Sequence, residues 1–233
     1  MLAIFKREFK SYFISPIGYV CLTLFFILEG YNFYEFYRKG YSEISYVFSS
    51  VFSIVLFIIP ILTMRLLSED KKQKVDQAYL TAPISLWSIA IGKFLAALTV
   101  FVIAFAPTLV YQMIYDAVAK PDWLVYLGNY VGIVLLGSAL IAVGLFVSSL
   151  TESQIVAAVG SFAISFVIIS IDGIAEMIPN AKISKIVGWF SFATRYNSFV
   201  AGTFDFTHLI FFLSFTAIFI FLTVRMLEKK RYL

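Results

Sequence analysis

RLLSEDKKQKVDQAYLTAPIS, from Arg65 to Ser85, sets Arg65, Glu69, Asp70, Lys71, Lys72, Lys74 and Asp76 between two long apolar runs. A stretch of this kind is built to meet water and whatever waits there. Ser68 suits an N-cap, Glu69 and Asp70 fall in the first turn where negative charge favours the helix dipole, and Pro83 follows the end. The pattern predicts a short helix from about Glu69 to Leu80. Val75, Ala78 and Tyr79 share one of its faces, with Lys71, Lys72, Lys74 and Asp76 around them.

On both sides of this loop the chain is written for lipid. Hydrophobic residues make up 61% and charged residues only 14%, against roughly 45–50% and about 25% in soluble domains. Charge-free runs extend over Ser11 to Leu28, Ile44 to Met64, Phe94 to Tyr115, Trp123 to Thr151, Ser153 to Ile171 and Phe206 to Val224. Crossing a ~30 Å hydrocarbon core takes about 20 apolar helical residues. The expected fold is therefore an all-α membrane protein with six transmembrane helices, forming one transmembrane domain over residues 1–233. Pro60 and Pro107 are tolerated as kinks. The Trp123 run exceeds one upright helix, which predicts a shorter helix with an interfacial lead-in carrying Trp123, Tyr126 and Tyr130. Only a few residues separate it from the next run, so these two spans form a tight hairpin.

Lys and Arg placement orients the spans. Counted on alternating sides, Lys6, Arg7, Lys10, Arg65, Lys71, Lys72, Lys74, Arg225, Lys229, Lys230 and Arg231 outnumber Arg38, Lys39, Lys120, Lys182, Lys185 and Arg195. The richer side is cytoplasmic, which puts both termini and the Arg65 loop inside. Lys93 reads as a membrane-boundary residue. The net charge of +4 is then a topology signal rather than a nucleic-acid footprint, because the basic residues do not form one face. Ahead of the first span, residues 1–15 place Leu2, Phe5, Phe9, Tyr12 and Phe13 on one face and Lys6, Arg7 and Lys10 elsewhere. This spacing describes an amphipathic helix on the lipid surface that turns inward at Pro16.

Catalytic chemistry finds little to work with. Cys21 is the lone cysteine, so no cluster has metal-ligand spacing. His208, the lone histidine, sits at the start of the last span as an interfacial residue, where pairing with any of many serines carries no specificity as a catalytic signal. Gly92-Lys93 fails as a phosphate loop, with Trp87 where the first glycine belongs and Phe94 where Ser or Thr is required. The chain is thus expected to be no enzyme and to bind no cofactor itself; any ATP chemistry comes from a partner. Asp172 and Glu176 lie four apart on one helical face near the outer boundary. Glu29 sits roughly 18 Å along the first span, where an ionisable group is costly and a functional candidate, unless the span ends early. Gly128 and Gly132, with Gly137, Ala139, Ala142 and Gly144, form a lightly built surface suited to close packing within one subunit or to dimerisation. Residues 172–205 are too interrupted for a full span. Pro179, Gly188, Gly202 and the aromatics Trp189, Phe190, Phe192, Tyr196 and Phe199 fit short re-entrant or interfacial helices that line an outer gate or pack inertly.

AIFKREFKSYFISPIGYV near the start, the Arg65–Ser85 stretch, and FSFATRYNSFVAGTFDFTHLIFFLSFTAIFIFLTVRMLEKKRYL at the end resemble the membrane permease subunits of type 2, export-type ABC transporters. The similarity is nearest to the gliding-motility-type branch and runs over nearly the whole chain. The resemblance implies that the amphipathic start is a connecting helix and that residues 65–85 hold a coupling helix seated in a groove of an ATPase. Glu69, Asp70, Lys71, Lys72, Lys74, Val75, Asp76 and Tyr79 would then carry ATP-driven closure to the membrane helices. It further implies ATP and Mg in partner ABC ATPase subunits, a second permease, identical or related, and a place in a bacterial inner membrane. A large outer-face accessory subunit is a further expected partner. Glu29, Asp172, Glu176, Phe192 and Tyr196 are the candidate substrate or gate residues. Family members often carry Arg-x-Gly-Thr-x-Glu in the loop; this chain has Lys72-Gln73-Lys74-Val75-Asp76 instead. The alternatives are a membrane scaffold that moves no substrate and, from a different class, an intramembrane enzyme.

Overall fold

The computed structural model describes residues 1–40, 45–81, 84–119 and 122–231. Among these, every regular element is a helix: α1 (Leu2–Ile14), α2 (Pro16–Lys39), α3 (Ser45–Thr63), α4 (Ser68–Lys72), α5 (Val75–Thr81), α6 (Leu86–Ala104), α7 (Pro107–Ala119), α8 (Trp123–Leu150), α9 (Gln154–Ile169), α10 (Ile171–Glu176), α11 (Ala181–Gly188), α12 (Phe192–Val200) and α13 (Phe206–Arg231). Each expected apolar run is helical over most of its described length, with breaks at Ser15 and at Phe105–Ala106. Four helices, Ser45–Lys72, Leu86–Ala117, Trp123–Leu150 and Phe206–Arg231, are long and apolar enough to cross a membrane, or up to five if the bent pair α1–α2 is one span. This fits a multi-pass membrane protein. The remaining run, α9, has 16 residues and so spans about 24 Å, short of the usual hydrocarbon core.

α8 is the axis, packing against α3, α6, α9, α12 and α13. Its small residues make this possible. A Cβ at Gly132 would lie 2.6 Å from Phe199, one at Gly137 2.2 Å from Phe101, and one at Gly144 2.1 Å from Thr63. These three glycines serve contacts inside the subunit, where backbones approach only if no side chain intervenes. The expected lead-in before a shorter helix does not exist. α8 runs unbroken for 28 residues from Trp123, its N-terminus capped by Asp122, whose carboxylate accepts from Leu124 N–H at 2.8 Å. α9 turns back against α8 after Ser153 caps it, as the short connection predicts.

Prolines act differently in two spans. Pro60 stays inside α3, whereas Pro107 opens α7 after a break at Phe105–Ala106. Pro107 has no N–H for Ile103 O, and that carbonyl accepts from Ala106 N–H at 3.1 Å instead. A proline at the first helical position is the arrangement its fixed φ favours. At the other end of the chain's first turn, Ser15 is extended and α1 and α2 are bent by 71°, so the chain does turn at Pro16. Pro83 and Lys120, used above for a helix end and for orientation, lie outside the described residues.

Residues 172–205 form short helices, as expected. α12 packs against α8 and α3, where the Tyr196 hydroxyl donates to Phe48 O of α3 at 2.9 Å, while Phe192 meets Phe211, Phe212 and Phe215 of α13 edge-on.

Candidate functional site

The Arg65 loop is two helices rather than the single one expected from Glu69 to Leu80. α4 ends at Lys72 and α5 begins at Val75, and between them Lys74 adopts φ 57°, a left-handed backbone uncommon for a residue with a side chain. Ser68 is not the cap. It is the first residue of α4, and its hydroxyl reaches back to Met64 O. The cap role has passed to α8: Ser148 Oγ accepts from Leu67 N–H and Ser68 N–H at 3.0 Å each and donates to Met64 O at 3.2 Å. A hydroxyl from the end of a neighbouring span thus satisfies amides that Ser68 would otherwise serve.

Charges hold the inner side of the loop. Lys93, on α6, is 0% exposed, with its ammonium 2.9 Å from Glu8 Oε1 and 2.7 Å from Asp70 Oδ2. Arg7 closes the group from solvent, 2.7 Å from Glu8 Oε1 and 3.2 Å from Asp70 Oδ1. Two carboxylates and two cations therefore join α1, α4 and α6. Burial disfavours charge on Glu8, but Lys93 and Arg7 outweigh it and hold this carboxyl below the usual carboxylate range. Beside this group, Arg65 Nε meets Glu69 Oε2 at 3.0 Å, its guanidinium bonds Ser11 Oγ, and Tyr12 donates to Leu62 O at 2.8 Å. A cleft of about 190 Å³ lined by Arg7, Glu8, Ser11, Arg65, Glu69 and Asp70 separates α1 from the loop.

The other predicted loop residues divide by face. Asp76 is buried and paired with Lys230 of α13, and Lys71 donates to Ser149 O of α8. Burial, then Lys230, hold the Lys71 ammonium below the ordinary lysine range against the pull of Asp76 and Glu152. Tyr79 is half-buried under the Arg7 guanidinium, 5.0 Å from the ring centre, and Val75 is half-buried. Lys72, Gln73 and Lys74 are exposed. The loop is thus an exposed tip on a base tied to α1, α6, α8 and α13.

Glu29 has a contrasting environment. The span does not end before it: α2 continues to Lys39, and Glu29 is 0% exposed. Both of its carboxyl oxygens, and both polar atoms of buried Gln112, have no hydrogen-bond partner among the described residues. Phe25 packs on Phe105 at 4.6 Å, Phe33 on Tyr111 at 4.4 Å and Phe36 on Tyr115 at 5.2 Å. This parallel register sets Glu29 level with Thr108, one residue past Pro107 and one turn before Gln112. Tyr111, Tyr126 and Tyr130 lie within its electrostatic reach, and Thr108 and Tyr126 share a hydrogen bond at 3.0 Å.

The candidates on α10 and α12 do not converge. The Asp172 carboxylate accepts from Thr194 Oγ1 at 3.4 Å, while Glu176 is exposed. Phe192 and Tyr196 are buried in the contacts of α12 already described. Lys93 and Glu8 are the residues that sequence reasoning missed. For Lys93 the available signal was an ionisable side chain inside an otherwise apolar helix, a functional candidate by default in a membrane; Glu8, among Lys6, Arg7 and Lys10 in α1, carries no such signal. No family model and no curated protein matches the chain. Fold and site together define an all-helical, multi-pass membrane protein with a braced charged loop at one end and a secluded carboxyl group within its helices.

Proposed function

We propose that this chain is the permease subunit of an ATP-driven export-type ABC transporter, or of a mechanical transducer built on the same plan, with residues 65–81 as the coupling element. The observation that carries the reading is the division of the loop: an exposed Lys72-Gln73-Lys74 tip on a base joined by buried charge to separate membrane helices. A push on that tip moves α4, and Asp70 passes the displacement through Lys93 to α6 and through Arg7 to α1. Asp76 does the same for α13. In this reading the loop and both termini are cytoplasmic, the membrane is a bacterial inner membrane, and α2, α3, α6–α7, α8, α9 and α13 are six spans. α1 is the connecting helix at the lipid surface. Separate ATPases bind ATP and Mg, and a second permease, identical or related, completes the complex; an outer-face subunit would meet α10–α12.

The geometry also selects the variant that tests it. Reversing Glu69 and Asp76 would strike ion pairs that hold the loop, whereas Lys72 and Lys74 face outward. Affinity purification of the intact chain from its native membrane should recover an ATPase with a phosphate-binding loop, and the complex should hydrolyse ATP. Recovery of no such ATPase contradicts the proposal. A stable complex that hydrolyses no ATP favours the scaffold instead.

A further inference from the structure

The Glu29 carboxyl group lies where α2 passes the break between α6 and α7, level with Thr108. Interrupted helices at membrane depth are tolerated where they are shielded by protein, and they recur at ion and proton sites because the interruption leaves polar backbone beside a secluded ligand. A fully buried carboxylate without donor or cation costs too much to keep bare. Both Glu29 oxygens lack a hydrogen-bond partner, and no Lys, Arg or His among the described residues pairs with them. The titratable groups within its electrostatic reach are Tyr111 of α7 and Tyr126 and Tyr130 of α8, all neutral hydroxyls. The cavity one turn along α2, lined by Cys21, Leu22, Phe25, Phe101 and Ala104 among others, is apolar and offers a hard cation no oxygen ligand. The positive partner that needs no cavity is a proton.

We propose that Glu29 is a membrane-embedded proton-binding site, located where relative movement of α2 and α7 would open it to exchange. Half-buried Tyr111, with its hydroxyl against Gly30, begins a polar route outward, and Gln112 stands beside it with an uncommitted amide. The site neither requires nor excludes an ATPase on the loop, so its test is separate from that of the permease reading.

Infrared spectra of the purified full chain in lipid at neutral pH, compared between wild type, Glu29→Gln and Glu69→Gln, decide the matter. The expected result is loss of an un-ionised carboxylic-acid carbonyl band in Glu29→Gln and its retention in Glu69→Gln. Loss of a carboxylate band in Glu29→Gln, or no change, overturns the proposal. Should Glu29→Gln not fold, wild-type protein treated with carbodiimides answers the same question, since these reagents add to carboxyl groups that carry their proton. A membrane-soluble carbodiimide should leave one adduct on the peptide containing Glu29, and a water-soluble one should leave none there. No adduct from the membrane-soluble reagent, or equal labelling by both, contradicts a secluded proton site.

Discussion

Lys93 and Glu29 are both charged-type side chains with no solvent exposure, but one is surrounded by opposite charge and the other meets none. Lys93 holds Glu8 and Asp70 within 3 Å, and its burial ties three helices at one end of the bundle. Glu29 holds nothing among the described residues. Burial of an ionisable group thus has two meanings in this fold. Where counter-charges from distant segments converge, it is a fastening; where they do not, the group needs a partner from outside the chain.

Breaking the fastening has the largest expected effect. Lys93→Met leaves Glu8 and Asp70 facing each other with only exposed Arg7 between them, and removal of one partner from a buried ion pair costs about 3–5 kcal/mol. Thermal unfolding in detergent should show that loss, while Glu29→Gln, which removes no pairing, should unfold close to wild type. Equal effects at the two positions would erase the distinction drawn between them.

Acid titration sharpens the same contrast with a smaller effect. The folded-state value of Glu8 is depressed, so its contribution is fully present above the ordinary glutamate range, near pH 4.3, and is lost as pH falls through the lower folded value. Wild-type stability should therefore fall below about pH 4.3, and Glu8→Gln should be less stable at neutral pH with a flatter acid dependence. A Glu8→Gln chain with unchanged acid dependence would assign that loss to other carboxylates.

The same comparison explains what was legible in the sequence. Apolar runs are local and announce their helices directly, which is why every expected run is helical over most of its described length and Pro107 marks a real break. Glu29 was legible for the same reason, as an acid directly after such a run within the first span. The fastening was not, because Glu8, Asp70 and Lys93 lie far apart in the chain and Lys93 alone resembles a boundary residue. The loop's internal break was hidden too. Nothing local asks Lys74 to adopt a left-handed backbone; pairing of Asp70 on one side and Asp76 on the other, to different helices, accompanies the break. Ser68 looked like a cap because the serine that fills that role, Ser148, arrives from another span. The count of spans is the least legible quantity, since α9 is short and α2 carries Glu29, Glu35, Arg38 and Lys39 toward its C-terminal end.

The central claim is that the loop is fixed at its base and free at its tip so that an ATPase can drive it. Lys72→Glu combined with Lys74→Glu, in the intact chain recovered from its native membrane, tests that claim most directly through ATPase recovery and thermal stability measured on the same preparation. The account predicts wild-type unfolding and insertion with most of the co-purifying ATPase lost. Full ATPase recovery and undiminished ATP hydrolysis in a folded double variant would contradict it.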